Sequence, residues 1–211
     1  MTYKPTRMSG FLSLCLLLLA ESIAGAAVKT APSHSDRSNN AWTVEQVVAS
    51  LKEGREPSVS FEEATYSSLL TEPLIVRGTL RFTPPSTLEK EVLEPYRERY
   101  IIEGDRVTFE SDRKHMKKTI SLEDYPALRS FVEAFRACFT GDVAQLKKIY
   151  ETTVEGTSRQ WTLLLRPHDP MGKSMVDYML LSGSDGRIAT IAIRAPDGDR
   201  SVMTLRRGHT K

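Results

Sequence analysis

The chain of 211 residues is short of several things, and each shortage removes a class of protein. It has two cysteines, Cys15 and Cys138. The first lies in an N-terminal segment expected to be removed, so the mature chain keeps one thiol and can form no intramolecular disulfide. Charge of either sign is not in excess: 29 Lys and Arg stand against 27 Asp and Glu, which gives no electrostatic argument for nucleic acid or for an anionic membrane surface. The longest apolar run, Phe11 to Leu19, is far below the roughly 20 residues of a spanning helix. Metal-spaced Cys/His clusters, a Gly-rich phosphate loop and a nucleophile elbow are all missing. The four histidines, His34, His115, His168 and His209, are scattered. Glu62 and Glu63 adjoin in a predicted strand, so they point to opposite faces and cannot act as a carboxylate pair on one substrate. No catalytic residue, cofactor or metal is expected.

The N-terminus belongs to a separate class of segment. Lys4 and Arg7 precede the apolar run, and Ala24-Gly25-Ala26 has the small-x-small pattern of a cleavage site, which together make residues 1–26 a secretory signal peptide. Leu14 stands where lipid attachment at Cys15 would want a small residue, which disfavours a lipoprotein. Cleavage removes Lys4, Arg7 and Glu21, leaving 27 basic and 26 acidic side chains. The mature chain is therefore nearly neutral. Residues 27–42, rich in Ser, Pro, Asn and charge, read as a flexible leader, and residues 43–211 as one domain.

That domain is mostly strand. From Val59 to Leu122 apolar residues recur at every second place, as in Leu80 and Phe82, Tyr100 and Ile102, Val107 and Phe109, and Gly78, Pro84-Pro85, Pro95 and Gly104-Asp105 punctuate the runs. This predicts an antiparallel meander with strands near 59–68, 74–83, 87–93, 97–103, 106–111 and 115–121. Alternation puts the three pairs on one concave face. Some strands carry an apolar residue on the second face too, as Ile101 does, so each face is expected to need a cover or a ligand. The basic runs Arg113-Lys114, Lys117-Lys118 and Arg206-Arg207 read as solvated strand edges, where Lys blocks further pairing.

Helical spacing appears in two places. Thr43-Val44-Glu45-Gln46 is a capping box before the stripe Val44, Val47, Val48, Leu51, with Gly54 as the stop. After Ser121, residues Leu128, Phe131, Val132, Phe135, Cys138 and Phe139 share one helix face, with Ser121 or Asp124 as the cap and Gly141 as the end. Asp142 opens a further short helix. Cys138 reads as a small buried hydrophobe, and His168-Asp169, between two prolines, as an exposed loop. Strands resume at 150–155, 160–166, 174–181, 187–194 and 202–206, the last three joined by Asp185-Gly186 and Asp197-Gly198 turns. The total is about eleven strands and three helices.

The order Phe61-Glu62-Glu63, Leu74, Gly78-Thr79-Leu80-Arg81-Phe82-Thr83-Pro84-Pro85-Ser86-Thr87-Leu88, Pro95 and Gly104-Asp105 resembles the periplasmic outer-membrane lipoprotein carriers of the LolA type. A looser similarity runs through Gly141-Asp142 and Trp161-Thr162-Leu163-Leu164-Leu165-Arg166-Pro167. The resemblance implies an α+β fold: an incomplete antiparallel β-barrel of about eleven strands with a helical lid, enclosing an apolar cavity that shields acyl chains. It implies an acylated lipoprotein or another lipid as cargo, a transient inner-membrane donor and outer-membrane acceptor as partners, and a periplasmic location. No nucleic acid is expected, and the chain is read as a monomer. Lipid-binding positions are expected at Leu80, Phe82, Tyr100, Ile102, Val107, Phe109, Trp161 and Leu163, with Leu128, Phe131, Phe135 and Phe139 on the lid. Pro84 stands where the better-known carriers have an arginine, and Leu88 where they have an aromatic.

Three other readings compete. A lipid- or lipoprotein-sensing regulatory module could share this fold, and a second domain or partner-binding tail would distinguish it. A secreted enzyme would need a polar constellation that the sequence lacks. A purely structural β-domain would have helices that fill the sheet completely.

Overall fold

The computed structural model describes residues 41–207, so the expected signal peptide and most of the leader lie outside the described residues. Eleven strands form one sheet: β1 (Ser58–Tyr66), β2 (Leu74–Thr83), β3 (Thr87–Glu94), β4 (Glu98–Glu103), β5 (Arg106–Ser111), β6 (Met116–Ser121), β7 (Tyr150–Thr157), β8 (Gln160–Pro167), β9 (Tyr178–Ser184), β10 (Arg187–Arg194) and β11 (Arg200–Arg207). Their spatial order is β6-β5-β4-β3-β2-β1-β11-β10-β9-β8-β7, and the pairings are antiparallel. Chain neighbours are sheet neighbours except that β1 pairs with β11 in the middle. The edges β6 and β7 do not pair, so the barrel is incomplete.

This topology fixes where the helices go. The segment between β6 and β7 leaves one edge of the sheet and must return to the other, so it crosses the open side. It holds a 3₁₀ turn (Leu122–Asp124) and two helices. In chain order the helices are α1 (Val44–Glu53), α2 (Pro126–Thr140), α3 (Val143–Ile149) and α4 (Pro170–Met175). α1 packs over β7, β8 and β10, and α2 packs against the other three helices.

Register puts one set of residues on the inner face. Val59, Leu80, Lys90, Tyr100 and Phe109 lie opposite one another across β1 to β5, and Phe82, Leu88, Ile102 and Val107 form the adjacent row. On the other wing Met203, Ile191, Leu181 and Leu163 continue that face. Trp161, Leu163, Leu165, Met179 and Leu181 there are essentially sealed from solvent, each fully buried apolar side chain contributing about 1.5–3 kcal/mol.

The outer face differs from expectation. Instead of a second cover it carries cross-strand ion pairs, Arg77 to Glu62 at 2.7 Å and Arg99 to Glu89 at 2.7 Å, with Arg77 and Arg81 more than half exposed. Charged side chains satisfy this face in water, and Ile101 sits half-buried among them. Lys117 and Lys118 do lie on an edge strand, β6, but Arg206-Arg207 end β11, a central strand flanked by β1 and β10. Position at a strand's end, rather than at the sheet's edge, keeps them solvated.

Local signals acted mostly as expected. Gln46 N donates to Thr43 Oγ1 and Thr43 N to Gln46 Oε1, closing the capping box. Gly141 ends α2 at φ +87°, a left-handed turn that favours glycine. Two boundaries differ. Ser121 caps the 3₁₀ turn by accepting from Glu123 N, while Tyr125 precedes α2 with no side-chain cap, Pro126 occupying the first turn. The expected His168-Asp169 loop instead starts α4: Asp169 accepts from Gly172 N at 2.8 Å. β9 accordingly begins at Tyr178 rather than near residue 174, and the helices number four among the described residues.

Candidate binding site

A cavity of about 390 Å³ opens between the inner face of the sheet and α2. That lies at the lower end of the range of about 300–1,000 Å³ typical of ligand pockets. The wall from the sheet is Leu80 and Phe82 of β2, Leu88 of β3, Tyr100 and Ile102 of β4, Ile191 and Ile193 of β10, and Met203 and Leu205 of β11. The opposite wall is α2, which contributes Phe131, Phe135 and Phe139. These three recur every four residues and form a ridge along one side of the helix. The Phe131 and Phe135 rings are 4.9 Å apart, and Phe139 stacks on Phe82 at 5.2 Å. Sheet and helix therefore meet through aromatic faces at one end of the cavity.

The exposed lining residues, Arg81, Arg187, Ala189, Arg206 and Arg207, put the mouth at the end of the sheet where α1 stops beside the β9–β10 turn. Gly54 has an ordinary φ of −82°, so its role is close approach: a Cβ there would come within 2.5 Å of Gly186 O. Arg55 and Glu56 follow directly and line the cavity at that end. Arg55 Nη1 donates to Phe139 O at 3.0 Å, and its guanidinium lies 5.1 Å from the Phe82 ring centre. Arg187 and Arg207 reach Glu56 at 3.4 and 3.8 Å.

One charged cluster lies inside. Lys90 Nζ is 2.5 Å from Glu63 Oε2, and Ser201 Oγ donates to Glu63 Oε1 at 2.9 Å. All three residues are buried and line the cavity. Nearby on the same face, Glu98 accepts from Tyr100 Oη at 2.9 Å and from Ser111 Oγ at 3.3 Å. Burial, and then the Glu98 charge, push the Tyr96 phenol above its ordinary pKa. Cys138 on α2 is buried and its thiol is pushed up to about 12 by desolvation, which leaves it inert as a nucleophile near neutrality.

Of the expected lipid-binding positions, Leu80, Phe82, Tyr100 and Ile102 line the cavity, as do Phe131, Phe135 and Phe139 of the expected lid. Val107, Phe109, Trp161 and Leu163 share the inner face but are packed away from the opening, Phe109 against the Tyr100 ring at 4.9 Å. Leu128, in the first turn of α2, is buried in the core rather than on the cavity wall. The sequence reading missed Glu63, Lys90 and Ser201. Its available signal was parity: Glu63 alternates with Phe61, and Lys90 with Leu88 and Val92, which puts opposite charges at apolar positions of the inner face.

Among the described residues no group of His, Cys, Asp and Glu could hold a metal ion, and no helix is long and apolar enough to cross a membrane. The site is apolar, open at one end and enclosed by sheet and helices.

The chain belongs to the family described as "Outer membrane lipoprotein carrier protein LolA-like", whose model matches residues 36–210. No curated protein matches. Among solved structures it is similar to a LolA superfamily protein of Nitrosomonas europaea (12% identity, 78% of this chain, 92% of that chain, TM-score 0.39). It is also similar to an uncharacterised conserved protein of Thermus thermophilus (11% identity, 79% and 88%, TM-score 0.46). A third match is in the MucA/MucB complex of Pseudomonas aeruginosa (12% identity, 76% and 54%, TM-score 0.40). Family membership rests on the sequence match.

Proposed function

We propose that the chain is a periplasmic carrier that holds an acyl chain of a lipoprotein or another lipid in the cavity during transfer towards the outer membrane. The observation that carries this reading is an open apolar cavity, walled by the sheet and by the aromatic ridge of α2, in a chain of a carrier family. Each methylene moved from water into such a site gains about 0.8 kcal/mol, so one long chain supplies ample affinity with no covalent chemistry.

In this reading residues 1–26 are cleaved during export, 43–211 form one carrier domain, and the protein is not an enzyme. Leu80, Phe82, Tyr100 and Ile102 grip the acyl chain, and α2 acts as a lid through Phe131, Phe135 and Phe139. Donor and acceptor proteins at the inner and outer membranes load and unload it, and the carrier travels between them as a monomer. Native mass spectrometry of protein purified from its own periplasm tests the reading. It predicts an added mass, released by solvent extraction as an acylated lipid. A bare mass, from protein that also fails to take up an acyl probe, overturns it.

A further inference from the structure

We infer that the cavity selects an amphiphile with an anionic head, a carboxylate or a phosphate, whose chain lies inside and whose head rests among arginines at the mouth. This rests on the carrier reading and adds the head group to it. Five guanidiniums, Arg55, Arg81, Arg187, Arg206 and Arg207, and two carboxylates, Glu56 and Glu89, line the cavity outside its interior cluster, and Arg187 and Arg207 converge on Glu56. Arg187 and Arg207 share that one partner and remain 50% and 72% exposed.

Charge is divided by depth. Inside, Glu63 is matched by Lys90 and Ser201, so the interior cluster is neutral and draws no ion into the cavity. Outside that cluster the lining carries five arginines against two glutamates, whereas the chain as a whole carries only +2 over 211 residues. A guanidinium fork pairs bidentately with carboxylate or phosphate. Arg55 is also pre-positioned by Phe139 O and the Phe82 ring, where the apolar wall meets water. A chain seated against Phe82 and Phe139 would bring its head to that guanidinium.

The test uses mature protein freed of lipid and one fluorescent chain with three heads: 11-(dansylamino)undecanoic acid, its methyl ester, and the alkyl phosphate of the same length. The acid and the phosphate are expected to bind about tenfold more tightly than the ester at low salt, with the advantage shrinking as salt rises. The ratio of acid to phosphate affinity separates the two sources of the head. Arg187→Gln with Arg207→Gln should lower affinity for the anionic probes and leave the ester unchanged, while Glu56→Gln should raise it. Opposite responses at exposed sites cannot come from loss of fold. Equal affinity of acid, phosphate and ester, or variants that move all three together, overturns the head-group assignment while the carrier reading stands. Absence of binding by all three overturns the carrier reading and the assignment with it.

Discussion

Lys90 Nζ on β3 approaches Glu63 Oε2 on β1 to 2.5 Å, and both side chains are nearly sealed from solvent, at 5% and 11% exposure. The pair sits in the wall of an apolar cavity, so each charge depends on the other. A buried pair adds little net stability, but removing one partner strands the other. Lys90→Met is expected to cost about 3–5 kcal/mol in urea unfolding. Lys90→Met combined with Glu63→Leu should recover most of that loss, and a double variant as unstable as the single one would show that the pair is not the source.

Arg136 ties α2 to the sheet. Its Nε donates to Ser86 O at 3.2 Å, Nη2 to Gly104 O at 2.5 Å and Nη1 to Glu133 Oε1 at 2.9 Å. Ser86 and Gly104 lie in the turns β2–β3 and β4–β5, so one guanidinium clasps the helix to two hairpins. Hydrogen bonds to charged groups contribute roughly 1.5–3 kcal/mol each. Arg136→Met should therefore speed hydrogen exchange in α2 before it speeds exchange in β1 and β11. Unchanged exchange in α2 would remove the clasp.

The Cys138 thiol ionises near 9 by its ordinary value and only near 12 in the folded chain, because burial penalises the thiolate. The folded state thus keeps a proton that the unfolded state releases, and this contribution to stability is full below about pH 9 and lost as pH rises towards 12. Cys138→Ala should flatten the alkaline fall in denaturation midpoint. In the native protein at pH 8, alkylation should proceed only as fast as the chain opens, and rapid labelling in buffer would contradict the burial.

Phe135 is only partly buried, beside Phe131. A core phenylalanine cut to alanine costs about 3–5 kcal/mol, and a ring that faces an open cavity has less packing to lose. Phe135→Ala is expected to lose less than that range and to weaken binding of an acyl probe. Full core-like destabilisation with unchanged probe affinity would remove α2 as a lid.

The two-residue alternation, the Asp-Gly turns and the capping box are local signals, which is why the strand order along the chain and the α1 boundary were legible in the sequence. Asp185-Gly186 turns as its residues dictate, with φ of +48° and +73°. α4 was hidden because six residues give too little period, and the two prolines masked the cap at Asp169. Face assignment was legible as well, since Val107 and Phe109 share the inner face with Leu80. Which part of that face stays open was not, because it depends on where α1 and α2 land, and that is set by packing across residues distant in sequence. The Glu63–Lys90 pair needed the pairing of β1, β2 and β3 before parity could be read as contact.

The carrier account turns on whether the space between β2 and α2 is where the chain binds. Leu80 is half-buried on the cavity wall, so Leu80→Trp should fill the space without overpacking a closed core. The measurement is equilibrium titration of lipid-free mature protein and of this variant with the dansyl methyl ester, alongside their urea midpoints. Saturable one-to-one binding by the native chain, weakened about tenfold or more in Leu80→Trp at an unchanged midpoint, is the predicted result. Equal affinity in the two proteins would place the ligand elsewhere and contradict the account.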